Sequence, residues 1–211
     1  MDELSMGSEL AYGHWHTVAI NAVAWVGACY WLLRPRLTRE YLAFLFFALF
    51  LIAEFVELFG YPFTLILVTQ QLRWVQATDA LSFSAGDLWR LLFEIDARFE
   101  SLDLFHLTGG VLIFGGLIVL YLGFAALRAA AQSRVPATTG PYRWVRHPQY
   151  LSVFSIMLGH LVQGPTLPIF VLFPVIVFFY RWLALREEHE CGTHFGQAYG
   201  LYRQRTPRFL R

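Results

Sequence analysis

The chain has 211 residues, 57% of them hydrophobic and 18% aromatic, with only 15% charged. That balance excludes an ordinary water-soluble domain, a collagenous repeat and a disordered segment, and it points to lipid as the solvent. The net charge of +1 conceals a second feature: all sixteen basic side chains are Arg and none is Lys. Cys29 lies in an apolar run and Cys191 in a charged tail, so no disulfide framework is expected.

Residues 1–10 carry Asp2, Glu3 and Glu9 without an Arg, the wrong charge for a secretory n-region. The first apolar run, 15–33, therefore reads as a retained span. A crossing helix needs about 20 mainly apolar residues, and further runs at 41–59, 104–127 and 167–185 meet or approach that length. The stretch 148–162 is shorter and ends at Gly164, Pro165 and Pro168, a turn signal, so 148–162 and 167–185 read as a helical hairpin. Phe63 to Val68 is an apolar stub too short to cross. The expectation is an all-α polytopic membrane bundle, one domain over 1–211, with about five spans and a tail helix in the cytoplasm.

Cytoplasmic loops of membrane proteins collect Arg. With the N-terminus outside, thirteen of the sixteen Arg fall in inner loops and the tail, and only Arg73, Arg90 and Arg98 fall in the long outer loop, where acids outnumber them. The chain is thus expected in an inner membrane with its N-terminus outside and its C-terminus cytoplasmic.

Ten Arg lie from Arg128 onward, together with Glu187, Glu188, His189 and Glu190. In the run Gly140 to Tyr150, Gly140-Pro141 marks a turn. His147 is biased out of helical dihedrals by Pro148, which itself suits a helix start. His147 is therefore placed at a helix mouth, with free N–H groups and Arg146 beside it as a place for an anion; an interfacial anchor of Arg, Tyr and Trp explains the same residue types. Glu187, one turn beyond Leu183, is positioned to fold back towards that mouth, although an acidic run alone reads as a solvated face.

Other signals are weaker. His189 and His194 stand five apart, about 140° round a helix, so the run is not a zinc-protease motif and no metal is assigned, although with Cys191 they would meet only in a non-helical turn. Gly109, Gly116 and Gly123 recur every seven residues inside a lipid-length run, which suits close helix approach instead of a nucleotide loop. No GxGxxG motif follows a strand. Glu54 and Glu57 share a helix face towards the outer end, where a structural or snorkelling role is favoured over chemistry. His106 and His160 read as hydrogen-bonded groups near helix ends.

Gly140-Pro141-Tyr142, Arg146-His147-Pro148-Gln149-Tyr150, Glu187-Glu188, Phe195-Gly196, Tyr199, Tyr202 and Arg205-Thr206-Pro207-Arg208-Phe209, taken in order, resemble the isoprenylcysteine carboxyl methyltransferase family and its phospholipid methyltransferase relatives. The likeness covers about 134–210, and the stretch Ala53 to Pro62 is similar to bacterial members. What the resemblance implies is a membrane enzyme using S-adenosyl-L-methionine without a Rossmann domain. It places the cofactor in the part 134–211, against Tyr142, His147, Pro148, Gln149, Tyr150 and Glu187, with Arg134, Val135, Pro136 and Ala137 as the preceding wall. Arg134 departs from the His often found there, and Leu183 stands where many relatives have an Arg that serves the substrate. Either Arg181 or Arg186 replaces it, acting with Arg146 and Glu188 on the acceptor, or the acceptor is not a prenylcysteine carboxylate.

The implied acceptor is lipophilic or small and apolar: an isoprenylcysteine-like carboxylate, a lipid or a thiol. No nucleic-acid or protein partner is expected beyond the bilayer. Two alternatives use the same residues, an NADPH-dependent reductase of the membrane sterol-reductase type with Arg holding phosphates, and a non-catalytic protein binding anionic lipid.

Overall fold

The computed structural model describes residues 13–33, 38–61, 63, 64, 66, 67 and 104–209. Among the described residues, six α-helices run in chain order: α1 Trp15–Leu33, α2 Thr38–Phe55, α3 Leu104–Ser133, α4 Pro148–Gln163, α5 Leu167–Phe195 and α6 Gln197–Arg205. A π-turn, Val56–Gly60, prolongs α2, and a 3-10 turn, Gly140–Arg143, precedes α4. The described residues contain no strand. The outer loop with Arg73, Arg90 and Arg98 lies outside the described residues.

Among the described residues, two helices, α3 and α5, are long and apolar enough to cross a membrane. At 16 residues, α4 reaches only about 24 Å, short of a typical hydrocarbon core. α3 outruns its apolar segment by six residues because Ala125 to Gln132 are mostly strong helix formers, and it stops where Arg134 turns left-handed at φ 54°. α5 likewise runs ten residues past Leu185, and this extension carries Arg186 to Phe195 beyond the apolar part. Pro174 sits inside α5, where it has no N–H to offer the carbonyl of Phe170.

α1, α2, α4 and α5 share a core of Val18, Phe47, Phe50, Leu51, Val153, Met157, Ile169, Ile176 and Leu183. Large apolar side chains also point outward: Val23, Val111, Phe114 and Phe178 are 65–74% exposed. A chain apolar inside and out is built for lipid contact.

α3 lies against α4 along a glycine seam. A Cβ on Gly116 would stand 2.9 Å from the Ser152 carbonyl oxygen, and one on Gly159 2.7 Å from that of Gly109. Backbone therefore meets backbone, as small residues permit in membranes. The Ser155 hydroxyl donates to the Leu112 carbonyl at 2.8 Å across the same seam. Gly123 makes only ordinary contact with Pro148, so the third glycine of the repeat is the loosest.

The α1 start is tied to the π-turn: Gly13 N–H donates to Gly60 O and His14 N–H to Phe59 O, both at 2.9 Å. The π-turn, the α1 start, the α4 end and the α5 start thus gather at one end of the bundle. His147, the α5 extension and α6 gather at the other.

Replacing Gly116 with Val forces the α3–α4 backbones apart and lowers stability by about 1–3 kcal/mol. Gly115→Ala, which points into open space, leaves it unchanged or raised. Thermal unfolding of both variants in detergent measures the difference.

Candidate active site

The site starts from a turn. Gly140, at φ 57°, takes the left-handed backbone that glycine favours, and the 3-10 turn it opens buries Pro141 and Tyr142. His147 takes φ −126°, ψ 63°, outside the helix, and Pro148 opens α4 at the position where a missing N–H costs nothing. The first bond of α4 runs from Leu151 N–H to His147 O at 3.1 Å.

The chain then returns after α6. Arg146 N–H donates to Pro207 O at 2.9 Å and His147 N–H to Arg208 O at 3.3 Å, so 207–208 lie alongside 146–147. The Tyr202 hydroxyl donates to Tyr142 O at 2.7 Å, and the Tyr142 hydroxyl to Gln149 Oε1 at 2.8 Å. Three remote segments are thereby locked around the α5 extension.

Glu188 is the centre. Its carboxylate is buried, and Arg208 grips it with a two-pronged pair, Nε to Oε1 at 2.8 Å and Nη2 to Oε2 at 2.9 Å. Arg146 Nη2 and His147 Nε2 each lie 3.2 Å from Oε1, and Arg203 Nε lies 3.9 Å from Oε2. Burial alone would raise the Glu188 pKa, but the hydrogen bonds from His147 and Arg208 and the charges of Arg146 and Arg208 hold it down at about 2. Such forked pairs are the strong ones.

Glu187 is half-buried and accepts a hydrogen bond from the Tyr150 hydroxyl. Its other oxygen faces His147 Nδ1 at 3.5 Å, too long for a good hydrogen bond. The His147 ring stacks on Tyr150, with centroids 5.4 Å apart and planes 2° from parallel, and Phe209 packs against its side. Burial opposes charging His147, yet its carboxylate neighbours Glu187 and Glu188 prevail and raise its pKa above the ordinary value.

The structure thus brings together Tyr142, Arg146, His147, Gln149, Tyr150, Glu187 and Glu188, with Pro148 buried beneath them. Arg134, Val135, Pro136 and Ala137 lie in the link between α3 and the 3-10 turn, which starts as a turn with Arg134 left-handed. Arg134 and Val135 are exposed and tied back to α3 through Ala131 O and Ala130 O. Arg181 and Arg186 do not join the cluster. Both are exposed, and Arg186 stacks over Trp182 at 4.6 Å, because two residues along a helix turn it about 200° away from Glu188. The guanidinium groups on Glu188 come from Arg146, Arg203 and Arg208 instead. Arg208 and Phe209 were part of a recognisable C-terminal pattern, but their role appears only when the tail folds back.

Three buried nitrogens have no hydrogen-bond partner among the described residues: Arg146 Nε, Arg146 Nη1 and His147 Nδ1. The Arg146 side chain is only 8% exposed. Buried donors are normally satisfied, so these unpaired atoms set Arg146 and His147 apart from the rest of the cluster.

Because the folded pKa of Glu188 is depressed, its stabilising contribution is complete above about pH 4.5 and drains away as pH falls towards 2. His147, raised, contributes below about pH 6.5 and loses that contribution as pH rises through its folded pKa. Stability measured against pH is therefore highest between these limbs. Glu188→Gln lowers that maximum by roughly 3 kcal/mol and flattens the acid limb.

No curated protein and no solved structure is significantly similar to the chain. Residues 104–200 match the family model described as phospholipid methyltransferase. The match runs from the start of α3 into α6 and takes in the 3-10 turn, His147, Glu187 and Glu188, while Arg203 and Arg208 lie just past it. The segment that carries His147, Glu187 and Glu188 is therefore similar to the phospholipid methyltransferase family.

Proposed function

We propose that the protein is an S-adenosyl-L-methionine-dependent methyltransferase that acts in the membrane on a lipophilic or small apolar acceptor. The observation that carries this reading is the pair of orphaned Arg146 N–H groups, buried beside Glu188 and next in sequence to His147, within the segment that matches the methyltransferase family model. A ligand carrying both a carboxylate and positive groups suits that surrounding: N–H donors at Arg146 for the anion, the Glu187 carboxylate for a cation. Tyr142, Pro148, Gln149 and Tyr150 complete the adjoining wall, with Arg134 to Ala137 on its approach. When bound, S-adenosyl-L-methionine supplies an electrophilic methyl group on a positively charged sulfur.

The residues present suit such a transfer. An in-line displacement needs donor and nucleophile held in register more than it needs proton transfer. Tyr150 fixes one oxygen of Glu187, and the Arg146–Glu188–Arg208 network fixes the turn that carries His147, so the cluster is rigid before any ligand arrives. Glu188 acts on Arg146 and His147 and is a positioning residue. The outward apolar faces of α3 and α5 leave a lipophilic acceptor free to approach sideways from the bilayer. An isoprenylcysteine-like carboxylate, a lipid headgroup and a thiol all fit this description.

We also read the bundle as crossing the membrane five times, with the His147–Glu188 end in the cytoplasm. That end holds all the described Arg outside the helical spans.

S-adenosylhomocysteine, added to the protein in detergent, raises the unfolding temperature and gives a saturable calorimetric signal, whereas NADPH gives neither. Glu187→Gln weakens that affinity roughly tenfold or more, and Arg181→Ala leaves it unchanged. Absence of S-adenosylhomocysteine binding overturns the reading. For the topology, a fluorescent-protein fusion after Arg211 fluoresces in cells, as expected of a cytoplasmic C-terminus; a dark but membrane-inserted fusion reverses the orientation.

A further inference from the structure

At the end of the bundle away from Glu188, a second set of polar side chains is buried. Glu54, in the last turn of α2, is 2% exposed, and Glu57, in the π-turn, is 5% exposed. His160 of α4 places Nδ1 3.8 Å from Glu54 Oε1, beyond hydrogen-bond reach. The Thr166 hydroxyl, capping α5, hydrogen-bonds to Glu54, and Thr64 N–H donates to Glu57 Oε1 at 2.6 Å. The Phe50 ring meets His160 edge to face, closing one side with apolar surface.

Much of this is explained by helix ends. Thr64 Oγ1 accepts from Leu167 N–H at 2.8 Å and Thr166 Oγ1 from Ile169 N–H at 3.4 Å, satisfying the first donors of α5. One atom is left over. Glu54 Oε2 is buried and has no hydrogen-bond partner among the described residues. Both carboxylates lie among apolar side chains, and among the described residues no Arg pairs with either; the single facing histidine is too distant to hydrogen-bond to Glu54. The site lacks positive charge, which is expensive in a lipid-embedded bundle. The π-turn is a second mark, since such widened turns recur at functional sites.

The unsatisfied acceptor is a single one among the described residues, Glu54 Oε2. No three His, Cys, Asp or Glu side chains converge as a metal-binding group among the described residues, which removes the ligand set a divalent ion needs. One free carboxylate oxygen with a threonine hydroxyl beside it suits a smaller demand. We propose that Glu54, with Glu57 and Thr166, forms a site for a small monovalent cation, an alkali ion or a primary ammonium group, at the end of the bundle opposite the charged cluster.

The test is thermal unfolding of the full chain in detergent, titrated with NaCl, KCl or ethylammonium chloride. N-methyl-D-glucamine chloride, whose cation is too bulky for the site, controls for ionic strength. The site predicts a saturating rise with at least one small cation, about 5–10 °C at a hundredfold excess over its half-saturating concentration. NaCl or KCl as the effective salt identifies an alkali ion, and ethylammonium chloride an ammonium group. Glu54→Gln abolishes the rise, and Glu57→Gln shifts its midpoint several-fold upward. A wild-type response no larger than the control, or a full response retained in Glu54→Gln, overturns the proposal. If Glu54→Gln does not fold, the wild-type titration and Glu57→Gln decide it. S-adenosylhomocysteine binding is measured in the same samples, so failure here stays separate from failure of the methyltransferase reading.

Discussion

The structure at the charged end depends on one carboxylate. Glu188 is taken out of water on the flank of α5 and would be costly there without partners. Arg208, Arg146 and His147 supply them, each from a different stretch of chain. Removing the carboxylate would leave like charges facing one another, so the turn, the helix and the tail hold their arrangement only as a set. The backbone pairing of 146–147 with 207–208 and the Tyr202 hydroxyl on Tyr142 reinforce the same closure.

The two neighbouring glutamates divide the work through their surroundings. Glu188 is buried and surrounded by donors from Arg146, His147 and Arg208. Glu187 has one oxygen committed to Tyr150 and the other facing a histidine at a loose distance. It keeps capacity for a further contact, as Arg146 does with its two unpaired N–H groups. A rigid support and an incompletely satisfied face, one residue apart, are what a binding site on a membrane helix requires.

Much of this was legible in the sequence because local rules govern it. The apolar run 15–33 coincides with α1, and Pro148 opens α4 because proline after a non-helical His147 leaves little other choice. The seven-residue glycine spacing named the face of α3 that meets α4. Helix lengths were harder: the alanine-rich end of α3 and the charged end of α5 are not apolar, yet they continue helices whose earlier turns are already formed. The partners of Glu188 were not legible, since Arg203 and Arg208 reach it only through the reversal after α6. That Arg186 lies on the far side of the helix from Glu188 was readable beforehand from their spacing of two. The π-turn left no trace, because its backbone bonding has no side-chain signature.

α5 is fastened at both extremities. Thr64 and Thr166 hold its first turn, and Glu188 anchors its far end. Between them, the helix is broken in one respect, the bond that Pro174 cannot make to Phe170. The helix is therefore a strut of about 43 Å with a built-in elbow. A tilt of its lipid-buried half relative to its charged half is taken up at Pro174 while both fastenings stay closed. Bending on the flank of such a helix leaves the charged end that holds it intact.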